Sequence, residues 1–509
     1  SAIAGWTAQK ESVNTSLLAG NGYPNDLVHT MNAASAITSW SATAYEWSLL
    51  SALARVQYSY KGKYLLSAAA RMDGSSRFGK NNRWGMFPSA SAGWYISEED
   101  FMKDIKWLTS LKLRASYGIS GNFNIGNYEY YATLSEDNYV FGKADGTLAS
   151  GLRPATAGNP DLGWEKTAMF NLGLEIGLFN MLTLELDLYN SNTTDMLLNV
   201  PVAEFSGFST VPMNIGKVNN KGVEFAISTT NTWGDFTWNN RFNISANRNE
   251  VKDLGGVDEM ITTSESVTFI TKVGEPIGNY YTLVTDGVFA NQAEIDNSKN
   301  PDKSQRKYAY VSGAKPGDFR FKDMDGNMEI DENDRTITGN YMPKFTYGFS
   351  TDFKYKWFDL SVALQGVQGN KIANIFRRYI DNMEGGNNSQ ADALDRWQSE
   401  SNPGSGYVVR ANRSATGMNG TTSTWHIEDG SYMRIKNITF GYTLPKSLLT
   451  NVGISRVRVY FSTQNPFTFT KYSGYNPEVN MKGGSLTPGI DYGTYPLSKS
   501  FVFGLNVTF

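Results

Sequence analysis

The chain has 509 residues, no cysteine, and 46 basic against 49 acidic side chains, so its net charge is −3. Disulfides, thiolate chemistry and cysteine-based metal sites are therefore excluded, and no charge excess favours a nucleic-acid partner. No stretch approaches the roughly 18 apolar residues of a membrane helix. The mean hydropathy of −0.38 is that of a water-exposed sequence. A membrane β-barrel would share this value, because only alternate residues of its strands face lipid.

Apolar and polar residues alternate in many short segments, which is the pattern of strands with one apolar and one polar face. The clearest segments are residues 182–188, 358–364 and 501–509, and the last of them places Phe, Leu or Val at every second position up to Phe509. The alternation predicts about fifteen strands, near residues 52–60, 63–72, 88–95, 110–118, 167–178, 181–192, 213–229, 236–248, 266–272, 277–288, 344–353, 357–367, 431–442, 456–464 and 497–509.

The connections between these strands alternate in length. Short ones lie at 61–62, 180, 231–235, 274–277 and 354–356, with one helical turn at 97–110, and long ones lie at 73–87, 119–166, 193–212, 289–343, 368–430 and 465–496. An up-and-down membrane barrel has this asymmetry, with short periplasmic turns and long outer loops. The last strand then runs to the periplasmic rim and pairs to its end, because a closed barrel has no free edge.

Aromatic residues near strand ends fit the two interfacial girdles of such a barrel. The candidates are Trp94, Tyr95, Trp233, Trp357 and Tyr442. Alternation alone also fits a large soluble β protein, whose polar face would lie in water, so this alternative stays open at this point.

Several longer stretches carry more specific information than the alternation of apolar and polar residues. They are RMDGSSRFGKNNRWGMFPSASAGWYISEEDFM (71–102), WLTSLKLRASYGISGN (107–122), NPDLGWEKT (159–167), NIGKVNNKGVEF (214–225), GDFRFKDMDGNMEIDENDRTITGNYMPKFTYGF (317–349) and SYMRIKNITFGYTLP (431–445). In this order they resemble the barrel of SusC/RagA-type TonB-dependent transporters. The resemblance covers residues 51–509, whereas residues 1–50 match less clearly and are left open as barrel strand or loop.

The resemblance implies an all-β, antiparallel up-and-down transmembrane barrel of about 22 strands in the outer membrane of a Gram-negative bacterium. About fifteen strands are too few to close it, so we expect the plug, the TonB-binding segment and the first strands to lie upstream of Ser1. The implied function is TonB-dependent import of oligosaccharides with a SusD-like lipoprotein on the extracellular face. Oligopeptide import by the same mechanism, and a dimer of transporter–lipoprotein pairs, remain open. A passive porin or a surface-adhesion barrel is the alternative of another class.

The segment DMDGNMEIDEND has the spacing of a calcium-binding loop. Oxygen donors stand at its positions 1, 3, 5, 9 and 12, and the carbonyl group of the seventh residue completes the set. The predicted ligands of Ca²⁺ are Asp323, Asp325, Asn327, Glu329, Asp331 and Asp334. Position 6, where such loops need Gly, is Met328. An acidic, solvated loop capped by Asx-turns is the alternative.

Nothing in the sequence favours an enzyme. The chain has two histidines, His29 and His426, and lacks nucleophile-elbow, Walker and dinucleotide motifs. Aromatic residues in the long loops could instead stack on sugar rings, and the candidates are Tyr128, Tyr130, Tyr131, Trp397, Trp425, Tyr472 and Tyr475.

Overall fold

The computed structural model describes residues 1–142, 146–381, 383, 385–414, 417–450, 453–480 and 482–509. Its strands are β1 (Ala2–Asn21), β2 (Ala36–Tyr60), β3 (Tyr64–Ser75), β4 (Trp84–Tyr95), β5 (Leu108–Asn122), β6 (Leu134–Glu136), β7 (Tyr139–Phe141), β8 (Thr147–Ala149), β9 (Leu152–Pro154), β10 (Glu165–Leu178), β11 (Leu182–Thr194), β12 (Leu197–Pro201), β13 (Thr210–Asn214), β14 (Lys217–Trp233), β15 (Phe236–Asp253), β16 (Glu259–Ser264), β17 (Val267–Lys272), β18 (Asn279–Thr282), β19 (Thr285–Val288), β20 (Phe319–Phe321), β21 (Thr336–Asn340), β22 (Phe345–Tyr355), β23 (Phe358–Gln368), β24 (Lys371–Asn374), β25 (Ile427–Asp429), β26 (Tyr432–Thr443), β27 (Arg456–Thr470), β28 (Ile490–Asp491) and β29 (Ser500–Thr508).

Helical structure is sparse. The α-helices are α1 (Gln292–Ser298) and α2 (Arg377–Ile380). Short 3-10 turns lie at Met31–Ala33, Ile96–Glu98, Asp100–Met102, Glu204–Ser206, Lys303–Gln305, Glu332–Asp334, Ala391–Asp395 and Lys446–Leu448. The second and third of these turns fall in the short connection for which the sequence predicts a helical turn.

Fourteen strands form one large antiparallel sheet, which confirms the predicted all-β, up-and-down class. Their order is β1-β2-β3-β4-β5-β10-β11-β14-β15-β22-β23-β26-β27-β29, so neighbours in the sheet are also successive along the chain apart from the strands inserted in loops. The order starts at β1 and ends at β29, and no pairing of these two strands occurs in the described part of the chain. The sheet is therefore an open barrel wall.

Thirteen of the predicted strands lie in this sheet, and two do not. The segments predicted at 266–272 and 277–288 become β17, β18 and β19, of which the first two join the four-stranded sheet β16-β17-β18-β21. All residues from 267 to 271 are buried, so both faces of β17 are covered. Their assignment to the barrel is wrong, because a strand packed on both faces can show the same local alternation as a barrel strand.

The fourteenth strand of the sheet comes from the first 50 residues. β1 pairs with β2 from Ala2 opposite Val56 to Asn21 opposite Ala36, and β2 begins well before the predicted residue 52. Where β1 should show an apolar stripe it carries small residues such as Ala4 and Ala8. Small side chains give no hydropathy contrast, which is why the pattern missed this strand.

The alternation of connection lengths holds with one exception. Connections of two or three residues follow β2, β10, β14 and β22, and 12-residue connections follow β4 (96–107) and β26 (444–455). Those after β1, β5, β11, β15, β23 and β27 are longer, but the one after β3 (76–83) has only eight residues. Because two predicted strands leave the sheet together, the parity is unchanged and the longest connection grows to residues 254–344. The connections after β2, β4, β10, β14, β22 and β26 lie at one end of the strands, here called the short-turn end.

The described residues divide into two compact units. The first contains Ser1–Glu99, Leu113–Leu172 and Asn190–Val218, and the second contains Asp100–Lys112, Gly173–Tyr189 and Asn219–Phe509. In the first unit, Phe78, Phe87, Leu162 and Trp164 form a buried cluster. The indole N–H of Trp164 donates to the carbonyl oxygen of Arg83 at 3.0 Å, which ties the NPDLGWEKT stretch to the RMDGSSRFGKNNRWGMFP stretch.

Candidate functional site

One face of the sheet in the second unit is apolar across six neighbouring strands. Directly paired residues on this face form a continuous row made of Trp238, Phe353, Leu360, Phe440, Phe461 and Phe503. Ring centroids of Phe461 and Phe503 lie 4.9 Å apart. Nevertheless Phe503 keeps 81% of its surface exposed and Phe440 keeps 47%. An apolar row that is half-buried or exposed at every position is what a sheet facing hydrocarbon requires.

The opposite face is polar. The row one residue further along the strands consists of Asn239, Asp352, Ser361, Thr439, Ser462 and Val502. Its side chains bond across strands, as where the Ser361 hydroxyl donates to Asp352 at 2.5 Å and Thr439 pairs with Ser462 at 2.8 Å. The sheet therefore has one face that suits hydrocarbon and an opposite face that suits water.

Aromatic side chains collect at the short-turn end in both units. In the first unit the rings of Tyr60, Tyr64 and Trp94 stack in series, with centroids 6.4 Å apart in each step. In the second unit Phe358 contacts Tyr442 at 4.9 Å, beside the turn that contains Trp357. The predicted girdle residues Trp94, Trp357 and Tyr442 therefore sit where strands reach their short turns, which is where an interfacial belt belongs.

The long connections of the second unit fold into a packed structure of their own, here called the loop layer (the described residues of 254–344, 369–431 and 471–499). One buried cluster contains Leu283, Val288, Phe289, Ile295, Ala309, Val311, Phe319, Phe321, Ile330 and Val409. A second contains Val267, Phe269, Tyr280, Ala373, Ile375 and Ile490. These loops therefore behave as a globular domain, whose core joins segments from three separate connections.

The loop layer uses three of the predicted sugar-stacking aromatics for its own packing. Trp397 packs on the first cluster, and its indole N–H donates to the Ala290 carbonyl at 3.3 Å. Trp425 lies 5.8 Å from Phe319 and under the guanidinium of Arg377. The buried Tyr472 donates its hydroxyl to Asp491 at 2.6 Å.

Other predicted aromatics remain accessible. In the second unit, Tyr475 is 66% exposed. In the first unit, Tyr131 is 56% exposed and packs its ring 4.1 Å from that of Tyr130, while the Tyr128 hydroxyl donates to the Glu46 carbonyl at 3.3 Å. Of the seven candidates, Tyr131 and Tyr475 are therefore the most available for a ligand.

A buried ion pair fastens the last long connection to the sheet. Arg434 is 1% exposed, and its guanidinium donates to Glu478, to Asn476 at 2.7 Å and to Thr468 at 2.9 Å. Glu478 also accepts from the Tyr432 hydroxyl at 2.6 Å. No local pattern predicts this cluster, because Arg434 and Glu478 are 44 positions apart.

His426 lies in the interior of the loop layer with no exposed surface. Its Nδ1 accepts from the Ser423 N–H at 3.3 Å, so its proton sits on Nε2. Burial, together with the charges of Arg377 and Arg378, lowers the pKa of His426 to about 3. The side chain is therefore neutral throughout the physiological pH range.

This burial predicts a pH dependence of loop-layer stability. The unfolded chain takes up a proton near the ordinary pKa of about 6.5, whereas the folded chain does so only near 3. Stability should therefore be constant above pH 6.5 and fall as the pH drops from there toward 3. Melting of the loop layer followed against pH checks this, and His426→Gln should flatten the slope in that window. A wild-type slope that persists in the variant would contradict the assignment.

The predicted calcium loop brings three of its carboxylates together. Oxygens of Asp323, Asp325 and Asp334 all lie within 4.8 Å of one another. Backbone N–H groups hold them in place: Met328 donates to Asp323 at 2.8 Å, and Met324 donates to Asp334 at 2.7 Å. Burial alone would raise the pKa of Asp323, but the N–H donors of Met328 and Gly326 outweigh it and keep that pKa below its ordinary value.

The other three predicted ligands have different contacts. The Asp331 carboxylate accepts from the Asn333 N–H at 2.6 Å and caps the turn Glu332–Asp334, and Glu329 pairs with Lys303 at 3.0 Å. The Asn327 amide donates to Asp325 at 2.9 Å, next to the cluster. Met328, at the position where such loops need Gly, takes a φ of +62°, so the chain makes the left-handed turn without glycine.

Comparison with known proteins bears on the whole chain. Residues 5–465 match the family model described as TonB dependent receptor-like, beta-barrel. The chain belongs to this family. The open fourteen-stranded sheet is thus the wall of a TonB-dependent receptor barrel, of the SusC/RagA type that its motifs predict. In the described residues, no helix is long and apolar enough to cross a membrane.

The relatives include TonB-dependent receptor P3 of Formosa agariphila, which is 36% identical over 525 residues, covering 100% of this chain and 50% of that protein. TonB-dependent receptor SusC of Bacteroides thetaiotaomicron is 33% identical over 484 residues, covering 92% and 44%. The structure of the RagAB peptide transporter superposes with a TM-score of 0.80 at 27% identity, covering 100% and 53%. This chain therefore spans about half the length of the relatives it matches.

Proposed function

We propose that this chain is the barrel wall of an outer-membrane TonB-dependent transporter, which imports oligosaccharides together with a SusD-like surface lipoprotein. The observation that carries the proposal is the two-faced sheet, with an apolar row exposed on one side and a polar row on the other. The short-turn end then faces the periplasm and the loop layer faces outward. Energy for import would come through TonB, acting on the plug domain of the proposed transporter.

Oligosaccharide is the proposed cargo because the SusC/RagA-type resemblance of the motifs implies it, and the chain is 33% identical to SusC over 92% of its length. The accessible rings of Tyr131 and Tyr475 offer flat apolar faces of the kind that sugars stack on. Oligopeptide import is the second candidate, and it is favoured by the high structural similarity to the RagAB peptide transporter.

Purification of the intact protein in mild detergent, followed by mass spectrometry of its companions, tests the proposal. A copurifying lipoprotein with bound glycan supports oligosaccharide import, and bound peptide would replace the cargo while keeping the mechanism. Uptake into cells should then stop when TonB is deleted. Uptake that continues without TonB, with no companion protein, would favour a passive porin, and cell-surface attachment without uptake would favour an adhesion barrel.

We also propose that Asp323, Asp325 and Asp334 bind Ca²⁺. Three carboxylates held within reach of one ion repel each other, and a hard divalent cation relieves that repulsion with the oxygen ligands it prefers. The Asn327 amide nitrogen donates to Asp325 at 2.9 Å, and its side-chain oxygen accepts from the Glu329 N–H at 2.6 Å. Lys303 pairs with the Glu329 carboxylate, and Arg306 donates to the Met328 carbonyl. Their positive charges offset part of the negative charge of the site.

Calorimetric titration of the intact protein with Ca²⁺ checks this proposal. Asp323→Asn should weaken Ca²⁺ binding at least about tenfold, because it removes a charged ligand at the centre of the cluster. Glu332→Gln is the matched control, since its carboxylate is 83% exposed and pairs with Arg335 rather than with the cluster, and it should change the affinity much less. Equal effects of the two substitutions, or no heat of binding in the wild type, would refute the site.

A further inference from the structure

A recess of about 840 Å³ lies at the short-turn end of the second unit, between the turn after β22 and the connection after β26. It is here called the cationic recess. Its charged lining residues are Lys354, Lys356, Lys446, Arg456, Arg458 and Asp359. Five cations thus surround one carboxylate, in a chain whose net charge is slightly negative.

The single carboxylate is already neutralised. Arg458 Nε lies 3.0 Å from Asp359 Oδ1, and a second guanidinium nitrogen bonds the other oxygen, so this pair is bidentate. Both residues are on the polar face, where Asp359 stands directly opposite Lys354. Within the recess, the pair leaves the remaining four cations without a compensating charge.

These four cations are exposed, and none has a salt-bridge partner among the described residues. Two acidic residues lie on the adjoining elements: Asp352, one row along the same face, accepts from Ser361, and the Asp235 carbonyl in the neighbouring turn accepts from the Lys356 N–H at 3.4 Å. Four like charges in one concavity focus a positive potential that attracts anions.

Size and lining select the kind of anion. Lys354 and Arg458 lie on the polar face, whereas Phe358, which also lines the recess, lies on the apolar face, so the recess reaches around the ends of the strands. The volume is that of a pocket for a larger ligand and far exceeds one phosphate. Trp357 and Leu444 add apolar lining, which suits the mixed side chains of a polypeptide.

We propose that the cationic recess binds an acidic polypeptide segment, with at least two carboxylates of that segment contacting Lys354, Lys356 and Arg456. This inference goes beyond the proposed cargo site and does not depend on what is imported. If the barrel is oriented as proposed, the recess opens toward the periplasm, so the segment would approach from that side.

The test uses the intact protein in detergent and a fluorescently labelled oligoglutamate peptide, with binding followed by anisotropy. The combined variant Lys354→Glu, Lys356→Glu and Arg456→Glu should weaken binding at least about tenfold, because three attractive contacts become repulsive. Added salt should weaken wild-type binding progressively. The matched control reverses three exposed lysines at other short connections, Lys61→Glu, Lys103→Glu and Lys106→Glu, and should stay within about twofold of wild type.

Two further measurements separate a loss of binding from a loss of folding. Faster electrophoretic migration of unheated protein verifies that each variant is folded, and the neutral variant Lys354→Gln, Lys356→Gln and Arg456→Gln should bind with intermediate affinity. Equal loss in the recess variant and the control would overturn the proposal. The proposal would also be overturned if the recess variant bound the peptide as the wild type does but no longer bound phosphatidylglycerol vesicles. That result would assign the recess to a lipid surface.

Discussion

Phe319→Ala should lower the free energy of unfolding of the loop layer by about 3–5 kcal/mol. Phe319 is 1% exposed, and its ring lies 5.8 Å from that of Trp425 and 6.1 Å from that of Phe321. The substitution removes the ring that joins segments from two long connections, and the rigid surroundings cannot close the cavity completely. Urea-dependent proteolysis of the intact protein, which cleaves the loop layer when it opens, measures this change.

Leu394→Ala is the control for this experiment. Leu394 belongs to the same layer but is 78% exposed, so its truncation should change the free energy of unfolding by no more than about 0.5 kcal/mol. If the two substitutions had similar small effects, the long connections would be independent surface loops and the loop layer would not exist as a packed body.

Arg434→Met should destabilise the attachment of the last long connection by about 3–5 kcal/mol. The change leaves the Glu478 carboxylate partly buried without its cation, and it removes the donors to Asn476 and Thr468. Protease sensitivity of the segment 471–489 should rise accordingly, while the strands of the sheet stay resistant. The same urea-dependent proteolysis, read at this segment, gives the magnitude.

The double variant Arg434→Met with Glu478→Met shows whether the loss of stability comes from the broken charge pair or from the lost Asn476 and Thr468 contacts. Replacing both members of a buried ion pair by apolar residues is often neutral, so the double variant should recover most of the loss. Failure to recover would mean that Arg434 acts through the Asn476 and Thr468 contacts rather than through the charge pair.

Alternation predicts a strand only where large apolar side chains alternate with small or polar ones. β23 and β29 were predicted well, because Phe, Leu and Val alternate with small or polar residues in both. β1 was missed since Ala4 and Ala8 give little contrast with their polar neighbours. The segment at 267–271 was placed in the wrong sheet, because the pattern records that a residue is apolar but not whether protein or lipid covers it.

The same limit applies to the candidate sites. Spacing within one short loop was sufficient to bring Asp323, Asp325 and Asp334 together, because local hydrogen bonds determine their geometry. The Asp331 carboxylate instead caps the turn that follows it, and Glu329, whose predicted ligand is its backbone carbonyl group, stays a prediction. The Arg434–Glu478 pair and the cationic recess combine residues from different strands and turns, and no local pattern in a single sequence encodes such neighbours.

The central claim is that hydrocarbon contacts the apolar face of the sheet. This chain has no cysteine, so a cysteine introduced into it is unique within the chain and can carry a nitroxide. The sites Phe503→Cys and Val502→Cys are adjacent in sequence and lie on opposite faces. In lipid bilayers, collision with oxygen should dominate over collision with a water-soluble nickel complex at position 503, and the ratio should be much lower at 502. A ratio at 503 equal to that at 502, or protection of 503 from both reagents, would contradict the account.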